Sequence, residues 1–108
     1  MPDKVVDTLT TEECFMSIVV RFHPTNLTVE QYEDVIRREQ DTGRFPPDGR
    51  EYHVCFGTDG DLRVSEVWDS PEHLQAYGEV LMPLLVDAGI QFSREPEVIE
   101  VHNIIRGA

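Results

Sequence analysis

The junction between a predicted strand and a predicted helix at residues 67–74 constrains the fold of this chain most strongly. This stretch reads Val-Trp-Asp-Ser-Pro-Glu-His-Leu. Ser70 is a favourable N-cap, because its hydroxyl can accept a hydrogen bond from a free N–H of the first helical turn. Pro71 suits the first helical position, where its missing N–H costs nothing, and Glu72 interacts favourably with the helix dipole. We therefore expect a strand to end at Trp68 and a helix to begin directly after it.

The first half of the chain predicts one strand, one helix and a loop. Residues 14–22 are rich in β-branched and aromatic side chains, and the polar, proline-containing segment 23–26 is expected to end this strand. Thr28 and Gln31 have the spacing of a capping box, which predicts a helix that continues through about residue 40. The following segment 41–50 contains two glycines and a Pro-Pro pair, which is typical of a loop.

A hairpin is predicted next. Residues 52–57 and 62–68 flank Asp59-Gly60, and Asp-Gly is among the strongest signals for a tight turn between antiparallel strands. Such a turn pairs Gly57 with Leu62. The register of the two strands follows directly from this pairing.

The last third predicts a helix and a final strand. Leucines and Tyr77 at helical spacing indicate a helix from Pro71 to about residue 88, kinked at Pro83 and ended by Gly89. Residues 98–105 form the last predicted strand. The resulting order β-α-β-β-α-β is the ferredoxin-like α+β pattern, an antiparallel four-stranded sheet with both helices on one face. A chain of 108 residues makes one such domain over residues 1–108, with a core at about 13–106.

Both faces of the predicted sheet carry apolar side chains. In the first strand Met16, Ile18, Val20 and Phe22 oppose Phe15 and Val19, and in the last strand Ile99, Val101 and Ile105 oppose Val98 and Ile104. Two helices cover only one face of a sheet, so the other face requires a partner. A second copy of the chain, related by a two-fold axis, is the simplest partner. The sequence therefore predicts a homodimer.

Charge and cysteine content limit the other partners. A net charge of −12 argues against binding to nucleic acid or to an anionic membrane surface. The N-terminal residues show no signal segment, and the longest apolar stretch, 80–86, is too short to cross a bilayer, so a cytoplasmic protein is expected. Cys14 and Cys55 fall in predicted strands without metal-ligand spacing. With no phosphate loop or zinc-protease motif present, neither a metal nor an organic cofactor is expected.

The element order and the Val67-Trp68-Asp69-Ser70 block resemble the dimeric α+β barrel superfamily, which includes the antibiotic biosynthesis monooxygenase-like proteins. The resemblance extends over about residues 15–105, and it implies a homodimeric barrel whose pocket lies between the sheet and its helices. Members include cofactor-independent oxygenases of aromatic substrates, haem-degrading enzymes, isomerases and proteins without a known reaction. Haem-degrading members place a His in the second helix at a position that corresponds to Gly78 here. The only His of that helix is His73, in its first turn, so haem binding is not expected.

The predicted hairpin register creates a candidate catalytic pair. It places His53 opposite Glu66, with Trp68 on the same face of the sheet. A carboxylate beside an imidazole favours its protonated form and fixes its tautomer, as a general base requires. Trp68 would then stack on the substrate. The alternative is a cross-strand polar pair with a structural role only, and a three-residue bulged turn would separate the two side chains.

Four further residues are candidates for substrate binding. His102 and Asn103 fall in the last predicted strand, one on each face, where a ligand could supply the hydrogen-bond partner that each side chain needs. Tyr32 and Tyr77 lie on apolar helix faces, where they belong either to the core or to the wall of a pocket.

Together with the resemblance, these residues suggest a small-molecule enzyme, either a cofactor-independent monooxygenase or a related proton-transfer enzyme acting on an aromatic or polyketide-like substrate. The alternative is a non-catalytic ligand-binding or stress-responsive barrel protein. An open cavity lined by His53 or His102 would favour the enzyme, and a cavity filled by the protein's own Leu and Tyr side chains would favour the alternative.

Overall fold

The β-α-β-β-α-β order predicted from the sequence is confirmed by a computed structural model, which describes residues 17–106. Its elements are β1 (Ile18–Thr25), α1 (Val29–Asp41), β2 (Arg50–Thr58), β3 (Asp61–Trp68), α2 (Pro71–Asp87) and β4 (Gln91–Glu100). The four strands form one antiparallel sheet in the order β2-β3-β1-β4. This is the ferredoxin-like arrangement, and side chains from both helices contact the same face of the sheet.

Both helices begin at the caps that the sequence indicates. Thr28 accepts a hydrogen bond from the backbone N–H of Gln31 at 3.0 Å, and the Gln31 side chain accepts one from the backbone of Thr28 at 3.1 Å. The Ser70 hydroxyl accepts from the backbone N–H of His73 at 3.2 Å. Each bond satisfies a donor that the first helical turn would otherwise leave unpaired. Local side-chain chemistry therefore determines where α1 and α2 start.

The hairpin register is also as predicted. Gly57 pairs with Leu62 and His53 with Glu66, on either side of a turn in which Gly60 has a φ of 87°. This φ lies in the left-handed region, which glycine adopts without steric cost. The turn therefore places the side chains of His53 and Glu66 on the face of the sheet that contacts the helices.

The predicted C-terminal end of the first strand is wrong. β1 continues through His23 and Pro24 to Thr25, because β4 pairs with it along this segment through two shifts of register. A shift of register accommodates a proline, which cannot donate a hydrogen bond to the ladder. Residues 14–16, assigned above to the first strand, lie outside the described residues.

The last strand lies further towards the N-terminus than predicted, at Gln91–Glu100. Gly89, with a φ of 74°, follows the end of α2 and turns the chain at once, so pairing with β1 begins at Gln91. The ladder ends where Glu100 pairs with Ile18, the first residue of β1. His102 and Asn103 consequently lie beyond β4 and are exposed, so their predicted placement on the two faces of a strand is wrong.

The core lies between the sheet and α2. It is formed by the buried side chains of Ile18, Val20, Trp68 and Tyr77. The opposite, helix-free face carries exposed apolar side chains, among them Tyr52, Phe56 and Ile99. Over residues 17–106, neither helix has the length and apolar character needed to cross a membrane.

Candidate functional site

A small cavity of about 60 Å³ lies between the helices and the face of the sheet that they cover. Most of its wall is apolar, and side chains from all four strands and both helices contribute to it. Four polar or ionisable side chains interrupt this apolar wall, namely Tyr32, Glu39, His53 and Glu66. An apolar cavity with a few converging polar groups is the usual form of a small-molecule site.

The β2–β3 hairpin brings the predicted pair together at this cavity. The Nδ1 atom of His53 lies 2.6 Å from Oε2 of Glu66, and the Glu66 residue is only 4% exposed. The two residues are direct partners in the ladder, so the backbone pairing itself sets this contact. The carboxylate accepts the Nδ1 hydrogen and thereby fixes the tautomer of the imidazole.

Two more donors hold the Glu66 carboxylate. Arg50 donates from Nη1 to Oε2 at 3.2 Å, and Trp68 donates from its indole Nε1 to Oε1 at 2.9 Å. The Arg50 side chain is buried, and its guanidinium lies over the ring of Phe45 at 5.3 Å. A buried carboxylate is costly unless it is paired and hydrogen-bonded, and both requirements are met here.

Sequence reasoning missed Arg50, because its position depends on a β-bulge. Arg50 pairs with Trp68 and Tyr52 pairs with Val67, so one extra residue lies between these two pairs on β2. In a regular strand, residues three apart point to opposite faces. The extra residue at the bulge shifts this alternation and turns Arg50 to the same face as His53. No local sequence signal marks the bulge.

Tyr32 completes a hydrogen-bonded chain at the cavity. Its hydroxyl oxygen lies 2.6 Å from Nε2 of His53, and the two rings stack with centroids 5.8 Å apart at an interplanar angle of 20°. Burial raises the pKa of Tyr32 to about 12, so its hydroxyl keeps its proton and donates to Nε2. In the tautomer that directs the Nδ1 hydrogen to Glu66, Nε2 carries the lone pair that accepts the Tyr32 hydroxyl. The chain therefore runs from the Tyr32 hydroxyl through the ring of His53 to the Glu66 carboxylate.

A second hydrogen-bonded pair places one of its members, Glu39, at the wall of the same cavity. Tyr77 donates from its hydroxyl to Oε1 of Glu39 at 2.5 Å, and Glu39 is only 3% exposed. Burial raises the pKa of Glu39, while the hydrogen bond from Tyr77 opposes this shift. Burial also raises the pKa of the Tyr77 phenol. Sequence reasoning missed Glu39, although Tyr32, Val35 and Glu39 share one face of α1, which was the signal that could have found it.

Trp68 and Tyr77 lie behind the cavity rather than at its surface. Trp68 is only 1% exposed, and its ring centroid is 6.0 Å from that of Tyr77 within the core. Trp68 positions Glu66 through its N–H, and Tyr77 positions Glu39. Trp68, which was expected to stack on a substrate, is covered by α2 on the inner face of β3 and donates a hydrogen bond to Glu66.

The other candidate residues lie away from the cavity. His102 and Asn103 are exposed beyond the end of β4. His73 lies at the surface, with Nδ1 2.6 Å from Asp69, and this carboxylate raises the pKa of His73. No cluster of three His, Cys, Asp or Glu side chains in the described part of the chain could hold a metal ion. Cys55 is a free thiol on β2.

An outer cleft of about 500 Å³ adjoins the cavity. Tyr32, Ile36 and His53 line both spaces, and Phe45 lies on the outer side only. The stacked rings of Tyr32 and His53 therefore separate the cavity from the cleft. A ligand in the cleft would meet these two rings first.

Comparison with known proteins identifies the fold. No family model matches the chain, and no curated protein matches it. A solved structure of a conserved protein from Methanosarcina mazei Go1 has a TM-score of 0.51 and 13% sequence identity, and the match covers 82% of this chain and 93% of that chain. A solved structure from Chloroflexus aurantiacus J-10-fl, described as a "putative antibiotic biosynthesis monooxygenase", has a TM-score of 0.52 and 20% identity, with 84% and 95% covered.

The chain has the ferredoxin-like α+β fold of these two solved structures. The resemblance inferred from the element order and the Trp68 block is thereby confirmed at the level of the fold. At 13% and 20% sequence identity, the similarity to these two structures concerns the course of the backbone. The ferredoxin-like fold explains why a cavity lies between the sheet and the helices, whereas the polar groups that line the cavity are a property of this sequence.

Proposed function

We propose that this α+β barrel protein is an enzyme that removes a proton from a small, mostly apolar carbonyl compound, with His53 as the general base. The observation that carries this proposal is the chain from Tyr32 through His53 to Glu66 at the cavity wall. Glu66 holds the Nδ1 hydrogen, so Nε2 can accept a proton while the carboxylate stabilises the resulting imidazolium. Arg50 and Trp68 keep Glu66 in place during the transfer.

The dimensions of the site suggest how such a ligand binds. An apolar protein cavity of about 150 Å³ is large enough to bind benzene. The cavity found here has a volume of only about 60 Å³. We infer that most of the ligand occupies the outer cleft and that only its carbonyl group and the adjacent carbon enter the cavity. The Tyr32 hydroxyl must then leave Nε2 as the ligand arrives.

The reaction class follows from this step and from the resemblance. Removal of a proton beside a carbonyl group makes an electron-rich carbanion, which can rearrange or react with dioxygen without a metal. A cofactor-independent monooxygenase acting on an aromatic or polyketide-like substrate and an isomerase both begin in this way. The description of the Chloroflexus aurantiacus neighbour favours the monooxygenase.

The small cavity favours a second candidate, a non-catalytic ligand-binding or stress-responsive barrel protein. In that case the polar groups would satisfy one another, as in a structural network. The two candidates differ in whether a bound carbonyl compound loses a proton.

Hydrogen–deuterium exchange tests the proposal. β-Tetralone, a bicyclic ketone with an acidic C–H next to its carbonyl, is incubated with the protein in heavy water, and exchange at that carbon is followed by NMR. We expect catalysed exchange, with a loss of about 100-fold or more in His53→Gln. The matched control is His73→Gln, which breaks a His–carboxylate pair at the surface and should leave the rate unchanged. No catalysis by the wild-type protein would favour the ligand-binding candidate, whereas catalysis that survives His53→Gln would show that His53 is not the base.

A further inference from the structure

The cavity contains a second ionisable group that the proposed base does not use. Glu39 and Glu66 are both buried carboxyl groups at the cavity wall, but their surroundings differ. Glu66 accepts three hydrogen bonds and pairs with the buried cation Arg50. Glu39 accepts one hydrogen bond, from Tyr77, and no described cation lies within ion-pair distance of it. A pair of carboxyl groups in unlike surroundings is a common arrangement for separate acid and base roles.

Burial, rather than the surrounding charges, favours the protonated form of Glu39. Burial is the main cause of its raised pKa, and the neighbouring Glu66 raises it further. The hydrogen bond from Tyr77 and the charges of Arg50 and His53 act in the opposite direction. A carboxyl group that keeps its proton can donate it to a ligand oxygen.

We propose that Glu39 is the second catalytic residue of this site and donates a proton to the carbonyl oxygen of the ligand while His53 takes a proton from the adjacent carbon. This inference rests on the proposed function and specifies the ligand as a ketone that forms an enol in the cavity. Tyr77 is a positioning residue, because it holds Glu39 and lies behind the cavity. Since His53 and Glu39 line a cavity of only about 60 Å³, one carbonyl group and its neighbouring carbon can contact both side chains.

The step balances without an oxidant or a reductant. The C–H bond breaks, its proton goes to Nε2 of His53, and its electron pair becomes the new C=C bond. The electron pair of the carbonyl π bond moves to oxygen, which takes the proton of Glu39. Return of the two protons, to carbon from His53 and to Glu39 from the enol, restores both residues.

Exchange of β-tetralone in heavy water tests the inference with Glu39→Gln, which keeps an acceptor for Tyr77. We expect the turnover rate to fall by about tenfold or more with little change in KM. Wild-type exchange should fall as the pH rises through the raised pKa of Glu39, because an ionised Glu39 cannot donate, and this high-pH (alkaline) limb of the profile should vanish in the variant. The matched control is Glu30→Gln, at an exposed position in the first turn of the same helix, which should behave like the wild type.

Tyr77→Phe separates a catalytic role of Glu39 from a structural one. The hydrogen bond from Tyr77 lowers the pKa of Glu39, so its removal should move the alkaline limb to higher pH. A merely structural Glu39–Tyr77 pair would leave that limb in place. Unchanged rates and an unchanged alkaline limb in Glu39→Gln, together with a large loss in His53→Gln, would overturn this inference and leave the proposed base standing. No loss in His53→Gln would overturn both.

Thermal unfolding provides a readout that needs no ligand. A carboxyl group with a raised pKa in the folded protein binds more protons there than in the unfolded chain. Its contribution to stability is therefore lost as the pH rises above the ordinary carboxyl value and through the folded pKa. We expect the Tm of Glu39→Gln to rise relative to that of the wild type with increasing pH. A Tm difference that is independent of pH would overturn the inference.

Discussion

At the scale of single residues, His53 differs from the other paired histidines in what its second nitrogen faces. His23 and His73 also contact carboxylates, at 2.9 and 2.6 Å, but those pairs involve exposed or half-exposed carboxylates at the surface. His53 contacts a buried carboxylate through one nitrogen and a tyrosine at a cavity through the other. The surroundings, rather than the residue types, make this His–carboxylate pair the candidate base.

Tyr32→Phe tests whether the tyrosine hydroxyl blocks the base. The substitution keeps the ring that stacks on His53 and removes the O–H that occupies Nε2. We expect exchange of β-tetralone to rise severalfold at low ligand concentration, because no hydrogen bond must first be broken. The free energy of unfolding should fall by about 1 kcal/mol, as is usual for one lost hydrogen bond. A loss of exchange similar to that of His53→Gln would instead show that the hydroxyl takes part in proton transfer.

At the scale of secondary-structure elements, hydrogen bonds connect the β2–β3 hairpin to the N-terminal end of α1. The side chain of Asp59, in the β2–β3 turn, accepts from the backbone N–H of Val29 at 3.0 Å. The backbone N–H of Leu62 donates to the carbonyl of Leu27 at 3.1 Å. These contacts connect the hairpin that carries His53 to the start of the helix that carries Tyr32 and Glu39. The N-terminal end of α1 is therefore important for the geometry of the cavity.

Thr28→Ala should weaken this end of α1. The threonine hydroxyl caps the backbone N–H of Gln31, and alanine has no acceptor to replace it. We expect the free energy of unfolding to fall by about 1 kcal/mol in urea denaturation. Thr28→Ser keeps the hydroxyl and should stay close to the wild type. Equal losses in both variants would mean that the threonine methyl group, rather than the cap, stabilises the helix.

At the scale of the whole molecule, the helix-free face of the sheet has the character of an interface. Val19, Val67 and Ile99 are neighbours across β1, β3 and β4 on this face, and Ile99 is 49% exposed. A contiguous apolar patch of this kind on a soluble protein is typical of an association surface. The acidic chain limits self-association elsewhere by charge repulsion, with a net charge of −12. We therefore expect two copies to pack through this face.

Light scattering tests the expected homodimer. The wild-type protein should have about twice the 12.4 kDa mass of the chain. Ile99→Glu places a charge within the proposed interface and should give a folded species of monomeric mass. Val86→Glu changes an exposed apolar side chain on α2 and should leave the mass unchanged. A monomeric wild-type protein would contradict the predicted dimer.

The sequence by itself determined the features that depend on neighbouring residues. The helix caps at Thr28 and Ser70 are formed within three residues of each helix start, so residue type and spacing suffice to predict them. The Asp59-Gly60 turn sets the hairpin register, and that register alone placed His53 opposite Glu66. The order of elements followed from the same local signals, and with it the fold class.

Only the tertiary structure decided the rest of the site, because those contacts join segments that no local rule relates. Tyr32 meets His53 over a separation of 21 residues, and Tyr77 meets Glu39 over 38. Arg50 reaches Glu66 through a bulge that depends on pairing with β3. β4 ends where β1 begins, so its length depends on a partner strand distant in the chain. Burial decides which of these groups are desolvated, and burial exists only once the helices pack on the sheet.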